Sequence, residues 1–394
     1  MSNKYQIGDV IHVRIEKIVP RGFGLGFGDG LTVFVPLSVP GDVLRVEIRE
    51  IKKRTAFAEI AEIVSPGAER IAPPCPYFGT CGGCDFQQLG YSAQLRAKVA
   101  IIEDSLTRIG KIEWAGAIRV VGSPQEFAYR SRARWHFNPE RKAVGYYARN
   151  SHDVIHVEIC PILTPELESR LQEIRDEVAW ENIWSSDAQI EAAAGDQGKV
   201  SMFSNDLAQA TVDIAFENDD FTYHYSAESF FQANKELIPA LVDTAVGQAG
   251  GELAVDLYCG VGLFTMPLAR RFKRVIGVEG NELSASFAKK NVELAGLTNV
   301  ELARSSVRRF LDSNRELRPD FVLLDPPRSG TDPGTIEALT GLNPAHITYV
   351  ACDPSLLARD LRKLLDAGYA VESVIAIDLF PQTHHVETIV HLKK

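Results

Sequence analysis

The chain has 394 residues, 45% of them hydrophobic and 24% charged, with a formal net charge of −10 at pH 7. That composition fits a folded protein of two or three domains and excludes a disordered chain, a collagen-like repeat and a disulfide-stapled miniprotein. No apolar run reaches the roughly 18 residues of a membrane span. Residues 1–20 carry Lys4, Asp9, Arg14, Glu16 and Lys17 in place of a signal's apolar stretch, so a cytoplasmic enzyme with no membrane partner is expected. The acidity argues weakly against indiscriminate nucleic-acid binding, while local basic stripes still decide phosphate contact.

Residues 1 to about 65 read as β-structure. Ile11, Val13 and Ile15 alternate with His12, Arg14 and Glu16, and Leu44, Val46 and Ile48 alternate with Arg45, Glu47 and Arg49. Gly22, Gly24, Gly26 and the Pro40-Gly41-Asp42 turn break the run into short strands, which predicts a small barrel over 1–65. Pro66-Gly67 and Pro73-Pro74 close it. Cys75, Cys81 and Cys84 follow within ten residues. Six cysteines are too few for a disulfide scaffold, and such a cluster in a cytosolic chain points to a metal. Leu95, Val99, Ile102, Leu106 and Ile109 recur at helical spacing and predict a helix over 91–110. From about 125 to 230 strands with irregular connections return, giving a mostly β central domain. From 231 to 394, apolar strands at 253–257, 275–278, 321–324 and 347–350 alternate with helices, which predicts an α/β, Rossmann-like doubly wound parallel sheet.

Asp256, Glu279, Asp325 and Cys352 fall at strand ends of that sheet, where such folds bind ligands. Asp256-Leu257-Tyr258-Cys259-Gly260-Val261-Gly262 follows a strand and opens a helix, and Glu279 ends the next strand. Glycines let the chain turn tightly, and an acid at that distance binds ribose hydroxyls. Thr265 stands where a dinucleotide fingerprint has its third glycine. S-adenosylmethionine, with a ribose and adenine but no phosphate, suits the turn better than NAD. Cys352 faces the ligand crevice as a nucleophile, although a free cysteine is more often a small buried hydrophobe. Glu387 alternates with Val386 and Thr388 on a strand and either meets solvent or aims at the site.

At these residues the chain resembles the RNA uracil-5-methyltransferase family. The matching segments are Phe231-Gln232-Ala233-Asn234, the Asp256–Gly262 turn, Asp325-Pro326-Pro327-Arg328, Cys352-Asp353-Pro354 with Leu357-Ala358-Arg359-Asp360, and Phe380-Pro381-Gln382-Thr383 with His385-Val386-Glu387. The amino-terminal barrel resembles a TRAM domain, an OB-like RNA-binding module, and with the cysteine cluster the chain resembles the iron–sulfur members acting on ribosomal RNA. The resemblance implies that Cys352 attacks carbon 6 of a uridine and that Glu387 is the general base. It implies that Gln232, Tyr258, Glu279 and Asp325, with Gly260 and Gly262, bind S-adenosylmethionine. It assigns 91–114 to the catalytic domain with 231–394, and 70–90 with 115–230 to the central domain. Two positions depart from the family: Asp353 stands where relatives often have Asn, and Leu263 where some have Asn. A transfer-RNA substrate, another methyl acceptor and a catalytically silent RNA-binding module are the competing readings. No obligate protein partner is implied.

With Cys160 as the fourth thiol, Cys75, Cys81 and Cys84 satisfy either tetrahedral zinc or a four-iron cluster. The resemblance favours [4Fe–4S], with zinc as the alternative. Arg130, Arg132 and Arg134 alternate, so a strand would set them on one face as a phosphate-binding stripe, with Tyr129, Trp135 and Phe137 nearby for base stacking. Lys52, Lys53 and Arg54 form a second basic patch.

Overall fold

In the computed structural model, which describes residues 5–28, 30–185, 187–207, 211–218 and 220–394, five strands close into a barrel. They are β1 (Val10–Val19), β2 (Phe23–Gly28), β3 (Leu31–Val35), β4 (Val43–Lys52) and β5 (Thr55–Ser65), in the order β1-β2-β3-β5-β4. β3 and β5 run parallel and the other neighbours antiparallel. This is the five-stranded closure of an OB fold, which leaves no free edge. The alternation turns Ile11, Val13, Ile15, Leu44, Val46 and Ile48 inward.

The cysteine loop leads into α1 (Tyr91–Arg108) and β6 (Arg119–Val121). A central sheet follows, built from β7 (Arg132–Asn138), β8 (Ala143–Tyr147), β9 (Val154–His156), β10 (Gln189–Ala194) and β11 (Val200–Phe203). Its order is β11-β10-β7-β8-β9, antiparallel throughout, with α2 (Pro165–Glu177) packed on it. A hairpin of β12 (Ile214–Glu217) and β13 (Thr222–Tyr225) leads to the last region.

There, α3 (Ile238–Val246), β14 (Gly251–Leu257), α4 (Thr265–Ala269), β15 (Phe272–Glu279), α5 (Glu282–Leu294), β16 (Val300–Arg304), α6 (Val307–Ser313), β17 (Phe321–Leu324), α7 (Thr335–Gly341), β18 (His346–Ala351), α8 (Pro354–Asp366), β19 (Ala370–Ile377) and β20 (Glu387–Lys393) succeed one another. The sheet order is β16-β15-β14-β17-β18-β20-β19-β6. β14 to β18 are parallel and β20 is inserted antiparallel between β18 and β19. The strand order reverses between β14 and β17, the switch point at which doubly wound sheets bind ligands.

Two boundaries differ from the sequence expectation. β6, placed in the central domain by its position, extends the catalytic sheet by pairing parallel with β19. The β12–β13 hairpin, also placed there, buries Phe216, Tyr223 and Tyr225 in one core with Phe231, Leu241 and Phe264. Among the described residues, no helix is long and apolar enough to cross a membrane.

α1 packs on both β1 and α8. Its buried face also carries polar groups. Lys98 is fully buried and forms an ion pair with the buried Asp378, while donating to the Phe380 carbonyl at 2.9 Å. Burial pulls the Lys98 ammonium down and the Asp378 charge opposes that. Removing one member of a buried pair strands the other charge, at about 3–5 kcal/mol. Lys98→Met should therefore lower the urea unfolding free energy by that amount. A Lys98→Met/Asp378→Leu double variant should recover most of the loss.

Candidate active site

The turn after β14 needs unusual backbone. Tyr258, Gly260 and Gly262 all take left-handed conformations, with φ of 65°, 56° and 96°. A tyrosine seldom does so, and such outliers gather at functional sites. A Cβ built on Gly260 would meet no atom within 4 Å, so this side of the turn lies open to a ligand. Glu279 holds the turn from the neighbouring strand. Its two carboxylate oxygens accept the Gly260 N–H at 2.9 Å and the Asn281 N–H at 2.6 Å. Thr265, which replaces the third glycine, donates its hydroxyl to Asp256 at 2.5 Å. The other Asp256 oxygen is buried without a partner, and burial pushes this carboxyl up to about 7. Leu263 turns its side chain into the core, while its carbonyl accepts from the Tyr223 hydroxyl at 3.2 Å. Gln232 is buried beside Phe231, whose ring stacks on Tyr225 at 4.3 Å.

Asp325 follows β17, across the switch point from that turn, and its N–H reaches the Leu257 carbonyl at 3.3 Å. Burial raises its carboxyl to about 7. Cys352 follows β18. Its thiol is pushed up to about 12, by burial first and then by Glu387, while Arg328 opposes the rise. Glu387 opens β20, pairs with Ile377 and is 3% exposed, with one carboxyl oxygen unpartnered. Burial, then Asp325, lifts it well above the usual carboxylate range, again against Arg328. The structure thus brings a thiol and two carboxyl groups near one cation, Arg328, which the sequence motifs alone did not mark as functional. The signal was present, since Arg328 directly follows Asp325-Pro326-Pro327. Asp353 caps α8, accepting from Ser355 N–H at 2.8 Å and Leu356 N–H at 3.3 Å, so its carboxylate has a structural task that an Asn would share. Cys259 is buried, and burial holds its thiol well above the ordinary range.

Cys75, Cys81, Cys84 and Cys160 line one cavity with Arg130 and Tyr146. All four thiols are free. Burial raises Cys84 to about 12 and Cys160 to about 11; Cys75 raises Cys81 further, and Cys81 raises Cys84 and Cys160, which marks them as neighbours. The Gly83 N–H points at the Cys81 sulfur at 3.4 Å. Among the described residues, no three Cys, His, Asp or Glu side chains converge on one point as a single ion requires.

The arginine stripe is corrected by the structure. Arg130 precedes β7 and lies in the wall of the cysteine cavity, its Nε donating to the Arg132 carbonyl at 2.9 Å. Arg132 spends its guanidinium on the carbonyls of Ala227 and Ser229, both at 2.7 Å. Arg134 is exposed, and it pairs with Glu191 at 2.6 Å. Tyr129, Trp135 and Phe137 are buried and have no face to offer a base. Alternation gave the spacing correctly but not which groups already cover each face. Lys52, Lys53 and Arg54 are exposed where β4 turns into β5.

A family model described as tRNA (uracil-5-)-methyltransferase matches residues 168–394, and one described as TRAM domain matches residues 4–61. The chain belongs to the tRNA (uracil-5-)-methyltransferase family. It is an S-adenosylmethionine-dependent RNA (uracil-5-)-methyltransferase. It is 31% identical to the 23S rRNA (uracil(1939)-C(5))-methyltransferase of Pectobacterium atrosepticum over 96% of this chain and 92% of that one. An RNA methyltransferase of Synechocystis is 30% identical over 100% of this chain and 97% of its own length. The crystal structure of the Pyrococcus abyssi tRNA (uracil-54, C5)-methyltransferase with S-adenosyl-L-homocysteine superposes with a TM-score of 0.75, at 26% identity, over 97% of this chain and 100% of that one.

The methyltransferase without RNA should keep Cys352 protonated across the neutral range. Alkylation of its peptide by iodoacetamide, followed by mass spectrometry, should accelerate about tenfold per pH unit between about pH 7 and 10, without the plateau of an ordinary thiol. Arg328→Met should slow it at every pH, since the cation that favours the thiolate is gone.

Proposed function

We propose that this methyltransferase modifies carbon 5 of a uridine in 23S ribosomal RNA, through a covalent bond between Cys352 and carbon 6. The observation that carries the reading is the meeting of thiol, buried carboxyl and Arg328 at the ends of β17, β18 and β20. Two relatives at 30–31% identity over 96–98% of the chain are named as 23S rRNA (uracil(1939)-C(5))-methyltransferases, which supports ribosomal RNA over transfer RNA. The exposed Lys52, Lys53 and Arg54 supply phosphate contact from the barrel. The setting is cytoplasmic, where such RNA is found.

Carbon 5 of uracil is a weak nucleophile. Cys352 attacks carbon 6 as the thiolate, and the ring electrons move onto the carbon 5 enolate. Arg328 favours both the thiolate and the ionised base. Bound S-adenosylmethionine supplies the methyl group as a sulfonium electrophile. Gly260 and Gly262 leave space for the cofactor, and Glu279, Asp325, Tyr258 and Gln232 orient it. Glu387 then takes the carbon 5 proton, the double bond re-forms, and the Cys352 sulfur leaves. The target base must be turned out of its stack to reach the thiol.

Cys75, Cys81, Cys84 and Cys160 fit a [4Fe–4S] cluster: the four thiols share a cavity with an arginine in its wall and a backbone N–H directed at one sulfur. The cluster braces the loop and performs no redox step. Cys81→Ser should lower the iron content and the folded yield together.

Incubation with S-adenosylmethionine and either 23S rRNA or tRNA transcripts, followed by nucleoside analysis, tests the substrate. 5-Methyluridine should form in the ribosomal transcript, whereas formation only in tRNA would replace that reading. Cys352→Ala should form neither product nor adduct. Glu387→Gln should slow release by about 10²–10⁴-fold and accumulate a methylated protein–RNA adduct on denaturing gels. Normal methylation by Cys352→Ala would overturn the covalent mechanism.

A further inference from the structure

The segment just before Glu387 is tied to the cysteine loop through one acidic side chain, and that tie has no part in the chemistry above. Asp85 directly follows Cys84. One of its carboxylate oxygens accepts the His384 N–H at 2.7 Å and the other pairs with His384 Nδ1. The backbone reinforces the tie, since the Asp85 and Phe86 N–H groups donate to the Gln382 carbonyl at 3.1 and 3.0 Å. Gln382 sits at a φ of 68°, a conformation a glutamine holds only when its surroundings impose it. Gln94 of α1 donates from Nε2 to the Gln382 side-chain oxygen, and its own oxygen accepts the Gln382 N–H, both at 2.9 Å.

From His384 the contacts run into the site. Its ring lies 4.2 Å from that of His385. His385 meets Phe380 edge-on at 6.0 Å, and the Arg328 guanidinium lies 6.0 Å from the Phe380 ring centre. Burial keeps His385 neutral, with its pKa lowered to about 3, so the stack adds no second charge beside Arg328.

We propose that Asp85 is a positioning residue: by fixing His384 it seats the His385–Phe380 stack under Arg328 and sets the path of the chain into Glu387. Metal-loop geometry is thereby coupled to the catalytic base. The proposal rests on the reading that Glu387 and Arg328 serve the reaction. It differs from a direct RNA contact, which the open cleft beside Asp85 and His384 also allows. A positioning fault acts on turnover, whereas a lost RNA contact acts on RNA affinity.

Steady-state methylation by the intact enzyme, with iron content as a second readout, tests it. Asp85→Ala should lower kcat roughly ten- to hundredfold, in line with a misplacement of about 1 Å. The KM for RNA and the Kd for S-adenosylmethionine should stay within about twofold of the unmutated enzyme, and iron should be retained. Asp85→Asn keeps an acceptor for the His384 N–H and should retain most activity. His384→Ala reaches the same stack from outside the cysteine loop and should reproduce the kcat loss with full iron. In a Glu387→Gln background, Asp85→Ala should add little, because both act on the same step. Unchanged kcat in both Asp85→Ala and His384→Ala, a rise in RNA KM alone, or full additivity with Glu387→Gln would each overturn the proposal. Normal turnover by Glu387→Gln alone would instead overturn the reading of the base and leave Asp85 with nothing to position.

Discussion

Burial at the carboxyl ends of β14, β17 and β18 and at the start of β20 raises every candidate acid and thiol of this site. Asp256, Asp325, Glu387 and Cys352 are all lifted by desolvation; Asp325 raises Asp256, Glu387 and Cys352 further, and Glu387 raises Cys352. A low-dielectric site disfavours several anions close together. Arg328 opposes this for Cys352 and Glu387. A sulfonium brought to the switch point would act in the same direction. The arriving positive charge would let the carboxyl groups poised near 7 ionise.

The rest of the chain serves the rigidity of that arrangement. Segment 378–386 joins β19 to β20 and is too irregular to be held by the sheet. It is held from outside by Lys98 and Gln94 of α1, by Asp85 and Phe86 of the cysteine loop, and by the Tyr129 hydroxyl on the Pro381 carbonyl at 2.8 Å. These partners lie more than 250 residues earlier in the chain. The amino-terminal half therefore also holds the segment that leads into Glu387.

Much of this was legible in the sequence because it is local. Period-two alternation marked the barrel, and strand–glycine–helix succession marked the doubly wound sheet and the strand ends carrying Asp256, Glu279, Asp325 and Cys352. What escaped was non-local. β6 has three residues and no period, and only its partner β19 gives it a place. Arg130 and Arg132 read as surface cations because alternation cannot show that backbone carbonyls and the cysteine cavity already occupy them. Trp135 and Phe137 occupy the opposite face of β7 from Arg132 and Arg134, which makes them core residues. Asp353 departs from the Asn often found in relatives, and the structure gives it the α8 cap.

The electrostatic account is tested most directly by counting protons when the cofactor binds. Isothermal titration of S-adenosylmethionine into the enzyme at about pH 6.5, repeated in buffers of different ionisation enthalpy, gives that number. S-adenosylhomocysteine, which lacks the sulfonium charge, is the control. A cation placed beside carboxyl groups poised near 7 lowers their pKa, so S-adenosylmethionine should release a measurable fraction of a proton and S-adenosylhomocysteine clearly less. Equal proton release by the two ligands, or none by either, would contradict the claim that the buried acids of this site respond to the sulfonium.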